Sequence, residues 1–333
     1  NGLSDCLVNA NGNQFIGNVP SSVTSTAYDN VSLGLAALNA ITTGDYNTSI
    51  GRLSLNTNST ASNNSAFGYG ALQHSNSAGS AGFGFKAGWL ATASNSAYLG
   101  FESGRSNTAA SHVSIGYSAG YSNTSGFGNT NLGYRAGYSN TTGGDSVNIG
   151  YDAGYTATGS QNTTVGRGAF GGGFGHNGIG NVAMGYLALQ SPSGSSNYNI
   201  AIGSEALKGF GTKSNNVAVG FKAGTAVTTG SNNVAIGYQA LLVQTDGEKN
   251  VAIGAGALMA STSEGRNTAV GFEAMKALNQ LGNPHNTAVG YQADATVTDS
   301  FYRTSIGAST GGNSTGSNIT NIGYNAQESS STV

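Results

Sequence analysis

The stretch Asn232-Asn-Val-Ala-Ile-Gly-Tyr-Gln-Ala-Leu241 carries the pattern that decides the fold of this chain. A phrase close to Asn-(Thr/Val)-(Ala/Ser)-apolar-Gly-aromatic-x-Ala recurs from one end of the sequence to the other. Such self-similarity at a fixed period is the signature of a repeat architecture. We call the central glycine of each copy a repeat glycine. The repeat glycines are Gly17, Gly34, Gly51, Gly68, Gly84, Gly100, Gly116, Gly133, Gly150, Gly166, Gly185, Gly203, Gly220, Gly237, Gly254, Gly271, Gly290, Gly307 and Gly323.

The repeat glycines follow one another at nearly constant spacing. There are 19 of them, 17 residues apart on average, and most intervals are 16 or 17 residues. A repeat this short depends on its neighbours for stability, so consecutive repeats are expected to stack. The period therefore predicts an all-β protein, a parallel β-solenoid (β-roll) of about 19 rungs with one repeat per turn.

The three residues before each repeat glycine predict a short strand. The last of them is apolar in all 19 copies, as at Ile236, and the first is often β-branched, as at Val234. Alternate residues of a strand point to the same side. We therefore expect the first and last residues to face the interior, and the Ala or Ser between them to face outward.

Other columns of the repeat also predict stacking. Asn lies four residues before the glycine in 13 copies, which favours a ladder of hydrogen-bonded amides. Ala usually lies three residues after the glycine, which suits a tight interior. Residues of opposite sign occupy the second position after the glycine in neighbouring repeats, which predicts cross-rung ion pairs. These pairs are Lys86 with Glu102, Arg135 with Asp152, and Glu205 with Lys222.

The residue directly after the repeat glycine is Tyr or Phe in 12 copies. Stacked rungs would align these rings into an aromatic ladder, which is either a platform for carbohydrate or ordinary packing at a corner or subunit contact. A Gly-rich excursion at 171–180 supplies two further candidates. The candidate ligand-contact residues are Tyr69, Phe85, Phe101, Tyr117, Tyr134, Tyr151, Phe174 and His176.

Composition excludes several classes of protein. Glycine accounts for 54 of the 333 residues, which argues against a helical bundle, and three prolines are too few for collagen. A net charge of -2 without basic runs argues against nucleic acid as a partner. No apolar stretch approaches the length of a membrane helix, so no membrane insertion is expected. Cys6 is the only cysteine and cannot form an intrachain disulfide.

The pattern suggests three segments. Residues 1–12 form an N-terminal segment or junction, residues 13–327 the repetitive solenoid, and residues 328–333 a C-terminal tail. Rungs that run this close to both ends leave little chain for caps, which would permit head-to-tail polymerisation. A second excursion, at 275–285, could form one or two helical turns.

Residues for catalysis, cofactors or metals are not arranged in any familiar pattern. The match to GxGxxG at 173–178 lacks a following helix, and the four histidines are expected to be scattered over the surface. Of the nearest acidic pairs, Asp246 and Glu248 belong to an Asp-Gly turn, and Asp294 and Asp299 are expected in a loop without supporting partners. We expect no catalytic residue, no cofactor and no metal.

Three phrases resemble known fibre proteins: 232–241, Asn-Thr-Ala-Val-Gly-Phe-Glu-Ala-Met (267–275) and Asn-Thr-Ala-Val-Gly-Tyr-Gln-Ala (286–293). They are similar to the Asn-Thr-Ala-x-Gly-Tyr-x-Ala-Leu repeats of phage tail fibres and bacterial fibre-like surface proteins. They also resemble the head repeats of YadA-type trimeric autotransporter adhesins. The resemblance spans about residues 13–327 and implies trimeric fibres that hold or form receptor-binding surfaces. The chain departs from these groups in two ways. Its repeats are longer than those of the adhesins, and it shows no pattern for a coiled-coil stalk or a membrane anchor.

These observations together predict a non-enzymatic extracellular fibre, located on a virion or a bacterial cell surface. It would act as a structural shaft or attachment protein, a phage tail fibre or a bacterial adhesin. The expected partners are further copies of the chain, as a homotrimer or a head-to-tail polymer, and a cell-surface glycan or protein receptor. The alternatives are a subunit of an open extracellular filament and, more distantly, a glycan-degrading tailspike.

Overall fold

The computed structural model describes residues 6–17, 20–24, 26–172, 176–190, 195–209, 211–279, 284–312 and 316–327. Over these residues the chain consists of three-residue strands joined by turns, and it contains no helix. It divides into two compact units, Asn1–Gln161 and Asn162–Val333.

The strands of the first unit are β1 (Cys6–Val8), β2 (Gln14–Ile16), β3 (Val31–Leu33), β4 (Thr48–Ile50), β5 (Ser65–Phe67), β6 (Ala81–Phe83), β7 (Ala97–Leu99), β8 (Val113–Ile115), β9 (Thr130–Leu132) and β10 (Val147–Ile149). Those of the second are β11 (Thr163–Val165), β12 (Val182–Met184), β13 (Ile200–Ile202), β14 (Val217–Val219), β15 (Val234–Ile236), β16 (Val251–Ile253), β17 (Thr268–Val270), β18 (Thr287–Val289), β19 (Thr304–Ile306) and β20 (Thr320–Ile322).

Within each unit the strands that precede repeat glycines stack in parallel, each on the next one along the chain. The pairing is in register: in β14 and β15, Val217 lies opposite Val234 and Val219 lies opposite Ile236. Each of these strands ends at the residue before a repeat glycine, as the sequence predicts. The predicted β-solenoid with one repeat per turn is therefore confirmed.

The strand β1 is an exception to the parallel order. It pairs with β2 antiparallel, with Cys6 opposite Ile16 and Val8 opposite Gln14. Leu7 packs against the apolar core of the first unit. The segment 1–12 thus contains a strand that covers one edge of β2, which the sequence analysis did not predict. The segment 328–333 lies outside the described residues.

The predicted orientation of the strands is wrong. The middle residue is buried in all of β2 to β20 for which burial is assigned, whereas the first and last residues are partly or fully exposed. Ala235 is 2% exposed, while the neighbouring Ile236 is 37% exposed. The strand face that points inward thus carries mostly small side chains, and the large buried side chains, such as Leu241 and Leu258, come from the turns.

The interior combines small residues with a column of buried leucines four residues after the repeat glycines, such as Leu55 and Leu258. The predicted inner alanines, Ala71 and Ala240 among them, are fully buried. Where the middle strand residue is large, a glycine accommodates it. Tyr98 is 1% exposed, and a Cβ on Gly104 would lie 2.0 Å from its ring. Burial raises the pKa of the Tyr98 phenol to about 12.

The repeat glycines are required for two reasons, which Gly237 illustrates. Its φ is 134°, in the region that favours glycine. A Cβ at this position would also lie 2.6 Å from the carbonyl carbon of Gly254 on the next rung. Neighbouring rungs therefore approach too closely for any side chain in this column.

The asparagine column forms the predicted ladder. The backbone N–H of Asn233 donates to Oδ1 of Asn216 at 2.9 Å, and Oδ1 of Asn233 accepts from the N–H of Asn250 at 2.9 Å. Nδ2 of Asn233 donates to the carbonyl oxygen of Gly247 at 2.8 Å. Each buried amide of this kind links its rung to both neighbours.

Candidate functional site

The six candidate rings of the first unit form a single ladder. Neighbouring ring centroids are 4.8–5.3 Å apart and the planes differ by 4–13°. The rings are 38–47% exposed. The structure thus brings together the residues Tyr69, Phe85, Phe101, Tyr117, Tyr134 and Tyr151.

The stacking determines which parts of these rings a ligand can reach. Each ring from Phe85 to Tyr134 has a neighbour on both faces, so only ring edges and phenol hydroxyls remain open. A sugar that stacks on an aromatic side chain uses the ring face, where the negative quadrupole is directed. The interior of this ladder therefore lacks the face that a carbohydrate-stacking platform needs.

A second aromatic column, which the sequence analysis missed, follows the fifth residue after the repeat glycine. Tyr121 and Tyr138 stack at 4.9 Å, and Tyr138 and Tyr155 at 5.2 Å. Trp89 and Arg105 occupy the same column in the two preceding repeats. The constant spacing of these residues was the signal in the sequence that could have revealed the column.

Cationic side chains pack against the rings of these columns. The guanidinium of Arg135 lies 5.0 Å from the Tyr134 centroid and 4.7 Å from the Tyr155 centroid. Arg105 lies 4.6 Å from the Trp89 ring. Cation–π contacts of this kind add about 0.5–1 kcal/mol each at exposed positions. This face of the first unit is therefore closed by packing between its own side chains.

Two of the three predicted cross-rung charge pairs form. Arg135 donates to both oxygens of Asp152, at 2.8 and 2.7 Å, and this hydrogen bonding raises the pKa of the guanidinium. Lys222 lies 4.0 Å from Glu205. The pairing of Lys86 with Glu102 is wrong: Glu102 lies 3.5 Å from Arg105. Lys86 lies 4.5 Å from the Trp89 ring centroid.

The excursion at 171–180 gives no exposed ligand contact among the described residues. Phe174 lies outside them. His176 is 1% exposed, its Nε2 contacts the carbonyl oxygen of Gly172, and burial lowers the pKa of its imidazole. His112 is equally buried and takes the place of an asparagine in the ladder. The expectation of surface histidines is wrong for both residues.

Asp294 and Asp299, one of the two acidic pairs, have different surroundings. Asp294 is 1% exposed and its Oδ1 accepts from Nε of Arg303 at 2.8 Å and from Ser305 at 2.9 Å. Burial raises the pKa of this carboxyl, and Arg303 opposes the shift. Asp294 therefore has partners, contrary to expectation, while Asp299 is exposed. The helical turns expected at 275–285 are absent over 275–279, and 280–283 lie outside the described residues.

A buried lysine stands apart from these columns. Lys213 is 1% exposed, and its Nζ donates to the carbonyl oxygens of Gly209 at 2.6 Å and Val227 at 2.9 Å. Burial lowers the pKa of this amine to about 7. Nothing in the repeat pattern predicted an ionisable group in the interior.

The aromatic column of the second unit differs from that of the first because it is interrupted. Phe221 stacks on Tyr238 at 5.6 Å, and Phe272 stacks on Tyr291 at 5.4 Å. Between these two pairs lies Ala255. A concavity of about 310 Å³ opens there, lined by Tyr238, Gln239, Ala255, Gly256, Met259, Phe272, Glu273 and Lys276.

The described residues contain neither a metal-binding cluster of side chains nor a membrane-spanning helix. No cluster of three or more His, Cys, Asp or Glu side chains there is placed to hold a metal ion. None of those residues belongs to a helix long and apolar enough to cross a membrane. In comparisons with known proteins, no family model, no curated protein and no solved structure matches the chain.

Proposed function

We propose that the protein is a non-enzymatic extracellular fibre that serves as a structural shaft or attachment protein, a phage tail fibre or a bacterial surface adhesin. The observation that carries this proposal is the outward orientation of the large apolar strand residues. Their exposure gives each turn of the solenoid an apolar surface that a single chain leaves in contact with water.

The apolar surface consists of the last strand residues in successive rungs. Soluble monomers rarely expose contiguous apolar patches larger than a few hundred Å². A second copy carries the same surface at the same spacing, so copies can pair rung by rung. The residues concerned are 36–50% exposed and include Leu33, Leu99, Leu132, Met184, Ile202, Ile236, Ile253, Val289 and Ile306.

The proposed assembly is a homotrimer. The outward apolar columns support self-association, and the resemblance to trimeric fibre repeats supports three chains and a place on a virion or bacterial cell surface. A stacked shaft gives reach, and three copies give multivalent attachment to a cell-surface glycan or protein receptor. Linked weak sites of this kind can raise avidity by about 10²–10⁴.

The mass of the native assembly tests this proposal. Light scattering after size exclusion should give three times the 33.2 kDa of one chain. A triple variant, Ile202→Glu, Ile236→Glu and Ile253→Glu, should be monomeric because it places charge in the apolar surface. The matched control adds three carboxylates at the exposed Thr229, Thr296 and Thr298 and should remain trimeric. A monomeric wild-type protein would refute the trimer.

Electron microscopy separates the shaft from the open filament. A filament that continues the parallel stacking across β2 would have to displace β1, which occupies that edge. We therefore expect particles of one length. Filaments of indefinite length would favour the polymer instead.

A further inference from the structure

The aromatic column of the second unit is interrupted at every third rung. A small residue takes the place of a ring at Ser204, Ala255 and Ala308, and two rings separate each small residue from the next. After Arg167, which is neither a ring nor small, the column reads Tyr186, Ser204, Phe221, Tyr238, Ala255, Phe272, Tyr291, Ala308 and Tyr324. The first unit has no such interruption between Tyr69 and Tyr151.

The interruption at Ala255 leaves ring faces uncovered. Tyr238 and Phe272 are two rungs apart, which corresponds to about 10 Å at the usual strand spacing. Of the two rings that border Ala255, Tyr238 is 56% exposed and Phe272 is 46% exposed, against 38–47% for the stacked rings of the first unit. The face that a ligand needs, absent from the closed ladder, is therefore available here.

The floor of the gap carries almost no side chain. Ala255 contributes a methyl group, and the next residue, Gly256, contributes none. The concavity of about 310 Å³ at this point has the Tyr238 and Phe272 side chains in its walls. Ligand pockets start at about 300 Å³, so the gap has room for one small ring.

Polar groups at the rim are already oriented. Glu273 accepts a hydrogen bond from Lys276 at 2.6 Å and another from Nε2 of Gln292 at 2.8 Å. These bonds lower the pKa of the Glu273 carboxyl, so it is an ionised acceptor at neutral pH. Gln239 lines the same concavity and adds an amide donor and acceptor.

We propose that the gap between Tyr238 and Phe272 is a binding slot for one pyranose ring of a cell-surface glycan. The C–H groups of the sugar would contact the negative faces of both aromatic rings, with the Ala255 methyl group below. Its hydroxyl groups would exchange hydrogen bonds with Gln239 and Glu273. This inference rests on the proposed attachment function and names the class of its receptor.

The rim chemistry favours a sugar over a nucleotide base, the other ring that could enter. A nucleotide brings phosphate groups that need unpaired cations or backbone N–H donors. Among the residues that line this gap, Lys276 is the only cation, and it is already bonded to Glu273. A carboxylate beside an amide is instead suited to neutral hydroxyl groups, which both donate and accept.

The three interruptions are regularly spaced, but their surroundings differ. Three rungs correspond to about 14 Å along the stack. The concavities near the other two, of about 410 and 370 Å³, are lined by Glu205 and by Ser309 respectively, and no aromatic ring lines either of them. The concavity at Ala255 differs from both, because the rings of Tyr238 and Phe272 form part of its walls.

The test fills the slots with the side chain that most rungs carry. In the variant Ser204→Phe, Ala255→Phe and Ala308→Phe, each gap receives a ring that the backbone accepts in 12 repeats. The probes are cellohexaose, maltohexaose and chitohexaose, titrated calorimetrically into the full-length protein. We expect at least one to bind the wild type, and the filled variant to bind it about tenfold or more weakly.

A matched variant keeps the slots open. Ser204→Ala, Ala255→Ser and Ala308→Ser preserves the small side chains and should bind the same hexasaccharide within about twofold of the wild type. Thermal unfolding of both variants verifies the fold, and the filled variant should melt no lower than the wild type because its ladder is continuous. Equal binding by the filled variant, or no binding of any hexasaccharide by the wild type, would overturn the slot. Binding of adenosine monophosphate in preference to the sugars would do the same.

The outcomes separate the slot from the function on which it rests. If the filled variant remains trimeric and still attaches to cells that bind the wild type, the slot is wrong and the attachment function stands. If the wild type is a monomer that binds no cells, the attachment function itself fails. A change of oligomeric mass in the filled variant would identify the gap as a contact between subunits and would also refute the slot.

Discussion

Asparagine suits its column because each side chain binds two backbone groups of the next rung. Its Oδ1 accepts from the next rung's N–H, its Nδ2 reaches a carbonyl on the next rung, and its own N–H is bound by the rung before, as at Asn233. Where another residue occupies the column, part of the pattern persists. Nδ1 of His112 accepts from the N–H of Asn129 at 3.3 Å, and the N–H of Arg303 donates to Asn286 at 3.0 Å.

Removing one amide from this ladder should lower the free energy of unfolding. Asn233→Ala leaves the N–H of Asn250 and the carbonyl of Gly247 without their partners in the interior. We expect a loss of about 2–4 kcal/mol in the free energy of unfolding, since each buried orphan costs about 1–3 kcal/mol. Denaturant unfolding measures the loss, and Thr229→Ala, at an exposed position, is the control. Equal effects of the two substitutions would show that the ladder is not stabilising.

The buried Lys213 predicts a pH dependence of stability. Its folded-state pKa is about 7, against an ordinary value of 10.5 in the unfolded chain. Between these values the unfolded state binds a proton that the folded state does not, so stability rises with pH. The slope contributed by this amine approaches about 1.4 kcal/mol per pH unit. The free energy of unfolding therefore decreases as pH falls from 10.5 towards 7, because the unfolded state gains a proton that the folded state does not bind.

The variant Lys213→Met isolates that contribution. It should flatten the rise in the free energy of unfolding between pH 7 and pH 10.5, because no lysine remains at this position to bind a proton in the unfolded state but not in the folded state. Lys208→Met, which removes a partly exposed lysine, is the control and should keep the slope. Denaturant unfolding at a series of pH values provides the measurement. An unchanged slope in Lys213→Met would place the origin of the pH dependence elsewhere.

In the three-residue strand, the size of a side chain, and not its hydrophobicity, decides whether it faces the interior. The turn admits small side chains such as Ala235 and Ser49 inward, and it leaves Ile236 and its equivalents outside. A sequence pattern with apolar residues at both ends of the strand favours the opposite orientation when apolar residues are assumed to face inward. The alanine that usually lies three residues after the repeat glycine, fully buried at Ala71 and Ala240, was the signal that small side chains face inward.

Enlarging side chains on the two faces of β15 should have unequal effects. Ala235→Val adds bulk to a residue that is 2% exposed and should cost about 1–3 kcal/mol through overpacking. Val234→Ile adds a methylene on the outward face and should change stability by less than about 0.5 kcal/mol. Thermal or denaturant unfolding compares them. A larger cost for Val234→Ile would reverse the assigned faces.

The outward apolar columns have consequences for the molecule as a whole. They repeat along the stack, so their area grows with the number of rungs, and only another surface with the same period can cover them continuously. The charged residues that do occur are placed beside one another, as in the pair of Arg135 with Asp152. Both features fit the proposed assembly of identical chains.

Assembly should make the melting temperature depend on concentration. A folded state stabilised by subunit contacts gains stability as protein concentration rises. We expect the wild type to melt a few degrees higher in concentrated than in dilute solution. The variant with Glu at Ile202, Ile236 and Ile253 should lose this dependence while keeping its strand spectrum. A wild-type melting temperature that is independent of concentration would contradict the assembly.

The sequence by itself determined the period, the strands, the repeat glycines and the asparagine ladder, because these depend on chemistry that recurs in every turn. A glycine with φ of 134° and an amide bonded to both neighbours leave a residue-level trace at positions such as Gly237 and Asn233. The six rings of the first ladder were found for the same reason.

Only the tertiary structure decided which strand face is buried, because that depends on the width of a closed turn rather than on any single residue. It also decided that the stacked rings of the first unit hide their faces while the interruption at Ala255 exposes them. Lys213 and His176 are buried for reasons that arise from neighbouring turns. The sequence pattern specifies which residues stack on one another, and the geometry of each closed turn decides which of their surfaces remain exposed.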